Sequence, residues 1–179
     1  VGEFGSILHF DGSAWMLMDS GTTEHLRGVW GNSGANVFAV GDNGTLLHYD
    51  GSGWSAMSSG TPAHLRGVWG SSGNDIYVVG DYQILHYDGI GWSAVSYGAT
   101  PRSFTGVWGT SSSDIFAVGS SGSILHYDGA SWNAMNSGTP SYLTGVWGIS
   151  STDVFAVGYN GAIIHYDGSS WTFMDSATS

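Results

Sequence analysis

Residues 106–132, with the sequence GVWGTSSSDIFAVGSSGSILHYDGASW, decide the fold of this chain. The stretch contains four blocks, which we call a (GVWG), b (DIFAVG), c (ILHYDG) and d (centred on Trp132). Block a occurs at 28–31, 67–70, 106–109 and 145–148, and each copy follows the last by 39 residues. Such a period marks a repeated structural unit, so the repeat is the first constraint on the fold.

Each block is a short apolar or aromatic run bounded by Gly, Ser, Asn or Asp, which predicts a β-strand between turns. The b–c junction contains Asn43-Gly44 and Asn160-Gly161, dipeptides that adopt positive φ and close a two-residue hairpin. Blocks c and d are joined by Asp-Gly-x-x-Trp, which predicts another tight turn. Block b, for example 37–40, is apolar on both sides of the strand, so we expect a sheet covered on both faces.

Four antiparallel strands in about 40 residues, repeated with Trp and Gly at fixed places, are typical of one all-β fold, the β-propeller of four-stranded blades. A β-helix would repeat at a shorter period, and one immunoglobulin-like sandwich would not repeat so regularly. The sequence therefore predicts a single β-propeller domain over residues 1–179.

The composition excludes several classes of protein and partner. The chain has 30 Gly, 9% charged residues and no Cys, which argues against a disordered tail, a helical bundle and a disulfide framework. Its net charge is −11, and its three cations are Arg27, Arg66 and Arg102. Phosphate binding needs several cations on one face, so nucleic acid and anionic membranes are poor partners. No apolar run approaches the length of a membrane span.

The repeat resembles bacterial propeller repeats of the Asp-box type and photosystem II assembly-factor-like propellers. The resemblance is carried by 153–158, 161–168, Trp171 and their counterparts in the other copies, which together cover nearly the whole chain. The chain departs from the Asp-box motif because a His stands two positions before the Asp, and four positions separate Asp50 from Trp54. The resemblance implies that block a is innermost and block d outermost, and it implies no particular activity.

The copies of the blocks are unequal in number. Blocks c and d occur five times, whereas a and b occur four times. We therefore predict about five blades, of which 1–27 forms only the outer hairpin, followed by full blades at about 28–66, 67–105, 106–144 and 145–179. The chain begins inside the repeat, so we expect it to derive from something longer. An incomplete blade leaves strand edges exposed, which predicts a protein partner or self-association there.

Residues that recur in every copy are best explained by packing. The repeated aromatic and turn residues include Trp30, Trp69, Trp108, Trp147, His48, Asp50 and Trp54. The five block c histidines lie about 39 residues apart and so belong to different blades, whereas a zinc site needs three or four converging ligands; we predict no metal. We expect each imidazole to bind a neighbouring Asp or carbonyl group, and Asp75, Asp114 and Asp153 to cap the a–b turns.

The copies differ from one another mainly in the b–c turns and the d–a loops, which an up-and-down blade presents on one face. Both length changes also fall there, a residue lost near Tyr82 and one gained near Ala99. Loops on a rigid scaffold commonly carry binding residues. The candidate ligand-binding residues on this face are His25, His64, Arg102, Tyr142, Tyr82, Tyr159 and Tyr97, and Arg27 and Arg66 lie just inside block a.

No catalytic motif accompanies these residues. Glu3 and Glu24 are the only glutamates, no acidic pair stands apart from the repeat, and Arg102 falls three positions from the equivalent of Arg66. We predict a non-enzymatic scaffold for protein interaction or assembly, without a cofactor, as a segment of a larger surface protein. The alternative is a lectin-like module that binds neutral carbohydrate through the loop face. Acidic, lysine-free, Gly- and Ser-rich repeats suggest an extracellular or cell-surface location.

Overall fold

A computed structural model describes residues 1–98 and 102–175, and within them the chain is all-β. The strands are β1 (Ile7–Phe10), β2 (Trp15–Met18), β3 (Leu26–Ser33), β4 (Asn36–Gly41), β5 (Leu46–Tyr49), β6 (Trp54–Ala56), β7 (Leu65–Ser72), β8 (Asp75–Gly80), β9 (Gln83–Tyr87), β10 (Trp92–Ala94), β11 (Phe104–Ser111), β12 (Asp114–Gly119), β13 (Ile124–Tyr127), β14 (Trp132–Met135), β15 (Leu143–Ser150), β16 (Asp153–Gly158), β17 (Ile163–Tyr166) and β18 (Trp171–Phe173). The residue gained near Ala99 lies outside the described residues.

The strands form one two-stranded and four four-stranded antiparallel sheets, each in sequence order. We call β1–β2 the hairpin, β3–β6 blade 1, β7–β10 blade 2, β11–β14 blade 3 and β15–β18 blade 4. Successive blades meet through their first strands, because β3 contacts β7, β7 contacts β11 and β11 contacts β15. The predicted β-propeller of four-stranded blades with an additional outer hairpin is confirmed.

Blades 2 and 3 bury both of their faces against their neighbours along the chain. We call the face toward the next blade the forward face and the face toward the preceding blade the rear face. The forward face of blade 3, with Phe116 and Val118, packs against Val154 and Ile164 on the rear face of blade 4. Equivalent clusters join blade 1 to blade 2 and blade 2 to blade 3. The apolar character of block b on both sides of the strand follows from this arrangement.

The Trp and the second Gly of block a fit together between blades. A Cβ atom added to Gly148 would lie 2.8 Å from Cη2 of Trp108 in the preceding blade. The same relation holds between Gly70 and Trp30, where the distance would be 2.7 Å. Only a residue without a side chain leaves room for the indole, so the GVWG motif encodes the contact between two successive blades.

The b–c turns combine positive φ with close backbone packing. In blade 1, Asn43 and Gly44 have φ of 52° and 70°, and the N–H of Thr45 donates to the carbonyl of Asp42 at 3.0 Å. The predicted turn is therefore present. Its flanking residues Asp42 and Thr45 share only one backbone hydrogen bond, because Asp42 donates its own N–H to the carbonyl of His25 at 2.9 Å. This bond holds the turn against the loop that enters the blade. In blade 2 the shortened turn places Tyr82 at φ 60°.

The c–d turns are closed by the Asp of block c. Asp50 Oδ1 accepts hydrogen bonds from the N–H and hydroxyl of Ser52, at 2.8 and 2.7 Å, and from the N–H of Gly53 at 3.1 Å. These bonds, led by the Ser52 hydroxyl, lower the pKa of the Asp50 carboxyl to about 2. The block c Asp is thus a turn residue, consistent with its recurrence in every copy.

The hairpin covers only the outer half of the rear face of blade 1. Ile7 packs against Leu26 and Leu47, which are buried. Val29, on the innermost strand, is 49% exposed, whereas its equivalent Val107 in blade 3 is 9% exposed. The difference follows from the missing inner strands of the first blade.

Replacing Gly44 with Ala should destabilise the protein more than replacing Gly60 with Ala. Both glycines have φ near 70°, but a Cβ at Gly44 would lie 1.8 Å from the Thr61 carbonyl oxygen, whereas a Cβ at Gly60 would meet nothing within 4 Å. We expect a loss of about 1 kcal/mol for Gly60→Ala from the backbone conformation alone, and about 3 kcal/mol for Gly44→Ala. Denaturant unfolding measures both; equal losses would contradict the assigned contact.

Candidate functional site

The b–c turns and the d–a loops meet at one end of the blades and form a surface that we call the loop rim. It consists of turns at 3–6, 42–45, 81–83, 120–123 and 159–162 and of loops at 19–25, 58–64, 96–98, 102–103 and 136–142. Gly44 donates its N–H to the carbonyl of Ala63 at 2.9 Å, so a turn of blade 1 is bound to the loop entering blade 2. The candidate ligand-binding residues therefore stand on a framework held by backbone hydrogen bonds.

Two of these candidates, His25 and His64, connect neighbouring units of the rim. The N–H of Asn43 donates to His64 Nδ1 at 3.3 Å, and this nitrogen lies 3.0 Å from Asp42 Oδ1. His25 has the equivalent place, where it accepts from the N–H of Phe4 at 3.4 Å with the two ring centroids 5.0 Å apart. Both histidines thus have structural partners between blades.

Arg27 and Arg66 are engaged by carboxylates of the rim. Arg66 donates from Nε and Nη2 to the two carboxylate oxygens of Asp81, at 2.8 and 3.0 Å. Arg27 makes the same two-bond contact with Asp42. The hydrogen bonds from Arg66 lower the pKa of Asp81, and those from Arg27 lower the pKa of Asp42. These guanidinium groups are therefore neutralised within the fold.

These ion pairs were missed by sequence reasoning, although the repeats contain a signal for them. The position immediately before block a holds Arg in blades 1 and 2, where the b–c turn begins with Asp. In blade 3 the position holds Thr105, and the turn begins with Ser120. The Thr105 hydroxyl instead donates to the carbonyl of Leu143 at 2.5 Å. The blades that have Arg before block a thus have Asp at the start of the b–c turn, as expected of two residues in contact.

The tyrosine candidates do not form one cluster with the histidines. Tyr142 and Tyr159 lie together, with ring centroids 5.3 Å apart, and Tyr142 also raises the pKa of Arg66 after the larger effect of Asp81. Tyr82 is exposed on its shortened turn.

Tyr97 and Arg102 lie elsewhere on the rim, where they line an open depression of about 510 Å³ beside blade 3. Tyr97 packs edge-on against Phe104 with ring centroids 5.4 Å apart, and burial raises its pKa. The loop rim therefore carries separate small groups of residues instead of one pocket that gathers all the candidates.

The block c histidines of blades 1 to 4 each form a hydrogen bond with the residue that begins block b of the same blade. His126 Nε2 lies 2.6 Å from Asp114 Oδ1, and His165 Nε2 lies 2.7 Å from Asp153 Oδ1. His48 makes the equivalent contact with Asn36 at 2.7 Å. Asp114 also accepts from the Thr110 hydroxyl in the a–b turn. Each pair joins two strands of one blade, and no group of three or more metal-binding side chains occurs in residues 1–98 and 102–175.

The forward face of blade 4 departs from the repeat in its exposure. Its Val157 is 44% exposed, although the equivalent Val118 is fully buried, and Trp147 is 60% exposed. At the other end of the series, Trp15 on the rear face of the hairpin is 68% exposed. In the part of the chain that the structure describes, no helix has the length and apolarity needed to span a membrane.

Replacing Asp81 with Asn should lower stability in a pH-dependent manner. The folded-state pKa of Asp81 is lowered by Arg66, so the stabilisation is complete above the ordinary value of 3.8 and is lost as the pH falls through the folded-state pKa. We expect the variant to lose about 1–2 kcal/mol at pH 6 and less below pH ~3. Ser120→Ala at the equivalent position is the control, with a deficit independent of pH. Denaturant unfolding at both pH values measures the loss of stability in each variant. A loss for Asp81→Asn that is the same at both pH values would contradict the ion-pair assignment.

Comparison with known proteins shows similarity in fold and does not assign the chain to a family. No protein-family model matches this sequence, and no curated protein matches it. A structure of YCF48 bound to D1 peptide has a TM-score of 0.75 at 20% identity, over 97% of this chain and 60% of that one. YCF48 from Cyanidioschyzon merolae has a TM-score of 0.65 at 18% identity, over 84% and 56%.

The WD40 repeats of RRP9 have a TM-score of 0.78 at 7% identity, over 97% of this chain and 61% of that one. The chain thus spans about three fifths of the length of each of these propellers. At such low identity the likeness establishes the architecture alone. The protein is a β-propeller built of four-stranded antiparallel blades.

Proposed function

We propose that this protein is a non-enzymatic scaffold for protein interaction or assembly, as a segment of a larger surface protein. The observation that carries the proposal is the uncovered forward face of blade 4. Contiguous exposed apolar surface commonly marks a protein interaction site. In the internal blades the position of Val157 is fully buried and that of Trp147 is partly buried, so the face has the composition of an interface.

The loop rim supports a binding role better than a catalytic one. Arg27 and Arg66 are already paired with the rim carboxylates of Asp42 and Asp81, and the carboxylate of Asp19 accepts a hydrogen bond from the N–H of Gly21 in its own loop. Glycosidase chemistry needs two carboxyl groups that face each other across a substrate bond. Among the described rim acids, Asp42 and Asp81 serve ion pairs and Asp19 serves a turn. One of the similar structures is of YCF48 bound to D1 peptide, which is consistent with a propeller as a peptide-binding framework.

The second candidate function is binding of a neutral carbohydrate on the loop rim. The observation that favours it is the pair of Tyr142 and Tyr159, since an exposed aromatic ring can stack on the apolar face of a sugar. The two hypotheses differ in location: a protein partner covers the forward face of blade 4, whereas a sugar contacts the rim.

A glycan array at about 150 mM salt, where charge effects beyond ~8 Å are screened, separates the two functions. We expect no reproducible binding to any related set of neutral sugars. Binding that is lost on Tyr142→Ala and retained in Trp147→Glu would replace the scaffold proposal with the lectin hypothesis.

Site-specific photo-cross-linking tests the scaffold proposal directly. A photoreactive amino acid at Ile149, which is exposed on blade 4, should form protein adducts in an extract of the producing cells. The control is the same group at Ile90, which is 92% exposed in a c–d turn away from both terminal faces. Equal adducts at both positions, or none at Ile149, would contradict a protein-binding face on blade 4.

A further inference from the structure

We propose that the depression beside blade 3 binds an extended peptide segment, which pairs with the outer edge of β14 and places one acidic side chain on Arg102. The inference rests on the proposed scaffold function and adds the chemistry of a partner segment. The depression lies between the loop that leaves blade 2 and the outer strands of blade 3. Both of its walls therefore belong to complete four-stranded blades.

The wall formed by the loop that leaves blade 2 departs from the other copies. Tyr97 stands where the three other described d–a loops have a serine, for example Ser137. The Ser137 hydroxyl donates to the carbonyl of Thr139 at 3.0 Å and so closes its loop. Tyr97 instead packs on Phe104, which stands where blades 1, 2 and 4 have a leucine. The two replacements are in contact and occur together in this copy alone, so they form one local change that shapes the wall.

The floor of the depression is apolar and belongs to the rear face of blade 3. Leu125 and Trp132 are 7% and 9% exposed there, and Ala134 pairs with Leu125 across the two outer strands. Ala134 is exposed, and blades 1 and 2 also have Ala at its position. The same position holds Leu17 in the hairpin and Phe173 in blade 4, so a blade accepts a large side chain there. The small residue in blade 3 leaves space above the floor for side chains of a ligand.

The outer edge of β14 can pair with a further strand, because β14 is the last strand of its sheet. Met135 is paired with Ile124 of β13, and the equivalent N–H···O bond in blade 2 is 2.8 Å long. Hydrogen-bonded pairs alternate along an antiparallel ladder, so the N–H and C=O groups of Ala134 point to the free edge. Residues 132–136 all line the depression. An extended peptide in it can therefore add to this edge by main-chain hydrogen bonds.

Arg102 is the cation that a partner reaches at this site. The two other arginines form two-bond contacts with carboxylates, whereas Arg102 has no carboxylate partner among the described residues. It is partly exposed and lines the depression. None of the described lining residues is acidic, although the chain has 14 Asp and Glu residues. This corner of the rim therefore favours a carboxylate, which a guanidinium group binds by charge-assisted hydrogen bonds.

These features define the residue pattern of the peptide. Side chains alternate along an added strand, so residues two positions apart, separated by about 7 Å, face the same side. We expect an acidic residue at Arg102 and, two positions away, an apolar residue above Leu125 and Trp132. We expect only one acidic residue, because the net charge of −11 repels a strongly acidic segment at long range.

An array of peptides with acetylated and amidated ends tests this inference on the purified chain. Each peptide has a Ser and Thr background, Glu or Gln at one position, and Leu two positions before or after it. We expect the Glu peptides to bind, as measured by fluorescence anisotropy. The matched Gln peptides should bind about tenfold more weakly, since a hydrogen bond between charged groups is lost.

N-methylation of the best Glu peptide tests the pairing with β14. Only alternate N–H groups of an added strand face its neighbour. Methylation of one alternate set of residues should therefore abolish binding, and methylation of the other set should leave binding intact.

Variants of the site have matched controls. Arg102→Gln should weaken binding of the Glu peptide by about tenfold and leave binding of the Gln peptide unchanged. Ile90→Glu lowers the net charge by the same one unit at an exposed turn and should bind like the parent. Ala134→Phe should block the floor, whereas Ala94→Phe at the equivalent position of blade 2 should not. Both alanines are exposed and blade 4 has Phe173 at this position, so both variants should fold, as the Tm will show.

An array without binders would overturn this inference. So would binding that neither Arg102→Gln nor Ala134→Phe weakens, or equal effects of N-methylation in both sets. Glucuronic acid is the second probe: if it binds in an Arg102-dependent manner and no peptide does, the depression is a carbohydrate site and the inference is wrong. The scaffold proposal is decided separately by cross-linking at Ile149 on blade 4, which lies outside this depression.

Discussion

Every part of this structure depends on one constraint: each four-stranded sheet is apolar on both faces and must be covered twice. Block b places residues such as Phe116 on one side and Ile115 on the other, and both are fully buried. A single blade cannot satisfy this requirement, so stability comes from stacking blades in series. The contact of Trp108 with Gly148 shows how closely the blades approach, and it accounts for the Trp and the Gly in the same motif.

The loop rim is rigid because its turns are bonded to loops on both sides. Asp42 and Gly44 donate backbone N–H groups to two different d–a loops, so a turn of one blade also aligns the next. The ion pair of Arg66 with Asp81 lies within this framework. Side chains on the rim differ among blades without disturbing the backbone, which is the property expected of a binding surface.

The two ends of the blade series contrast with the rim. On the rim, polar groups are largely satisfied within the fold, as in the contacts of His64 and Arg27. At the ends, apolar surface that the repeat normally buries is exposed on the hairpin and on blade 4.

The sequence by itself determined the blade architecture, the four strands of each repeat and the positive φ at Asn43, because these depend on local patterns and on a period visible in one chain. The block c histidines could be assigned to structural use, but their partners could not. His126 binds Asp114, twelve residues earlier, and not Asp128, because strand pairing places residues of blocks b and c side by side. The repeats contain a signal for the pairing of Arg66 with Asp81, but the contact itself and the exposure of Trp147 were established only by the tertiary structure. Both depend on how strands and blades are placed in space, and residues identical in sequence become buried or exposed according to whether another blade follows.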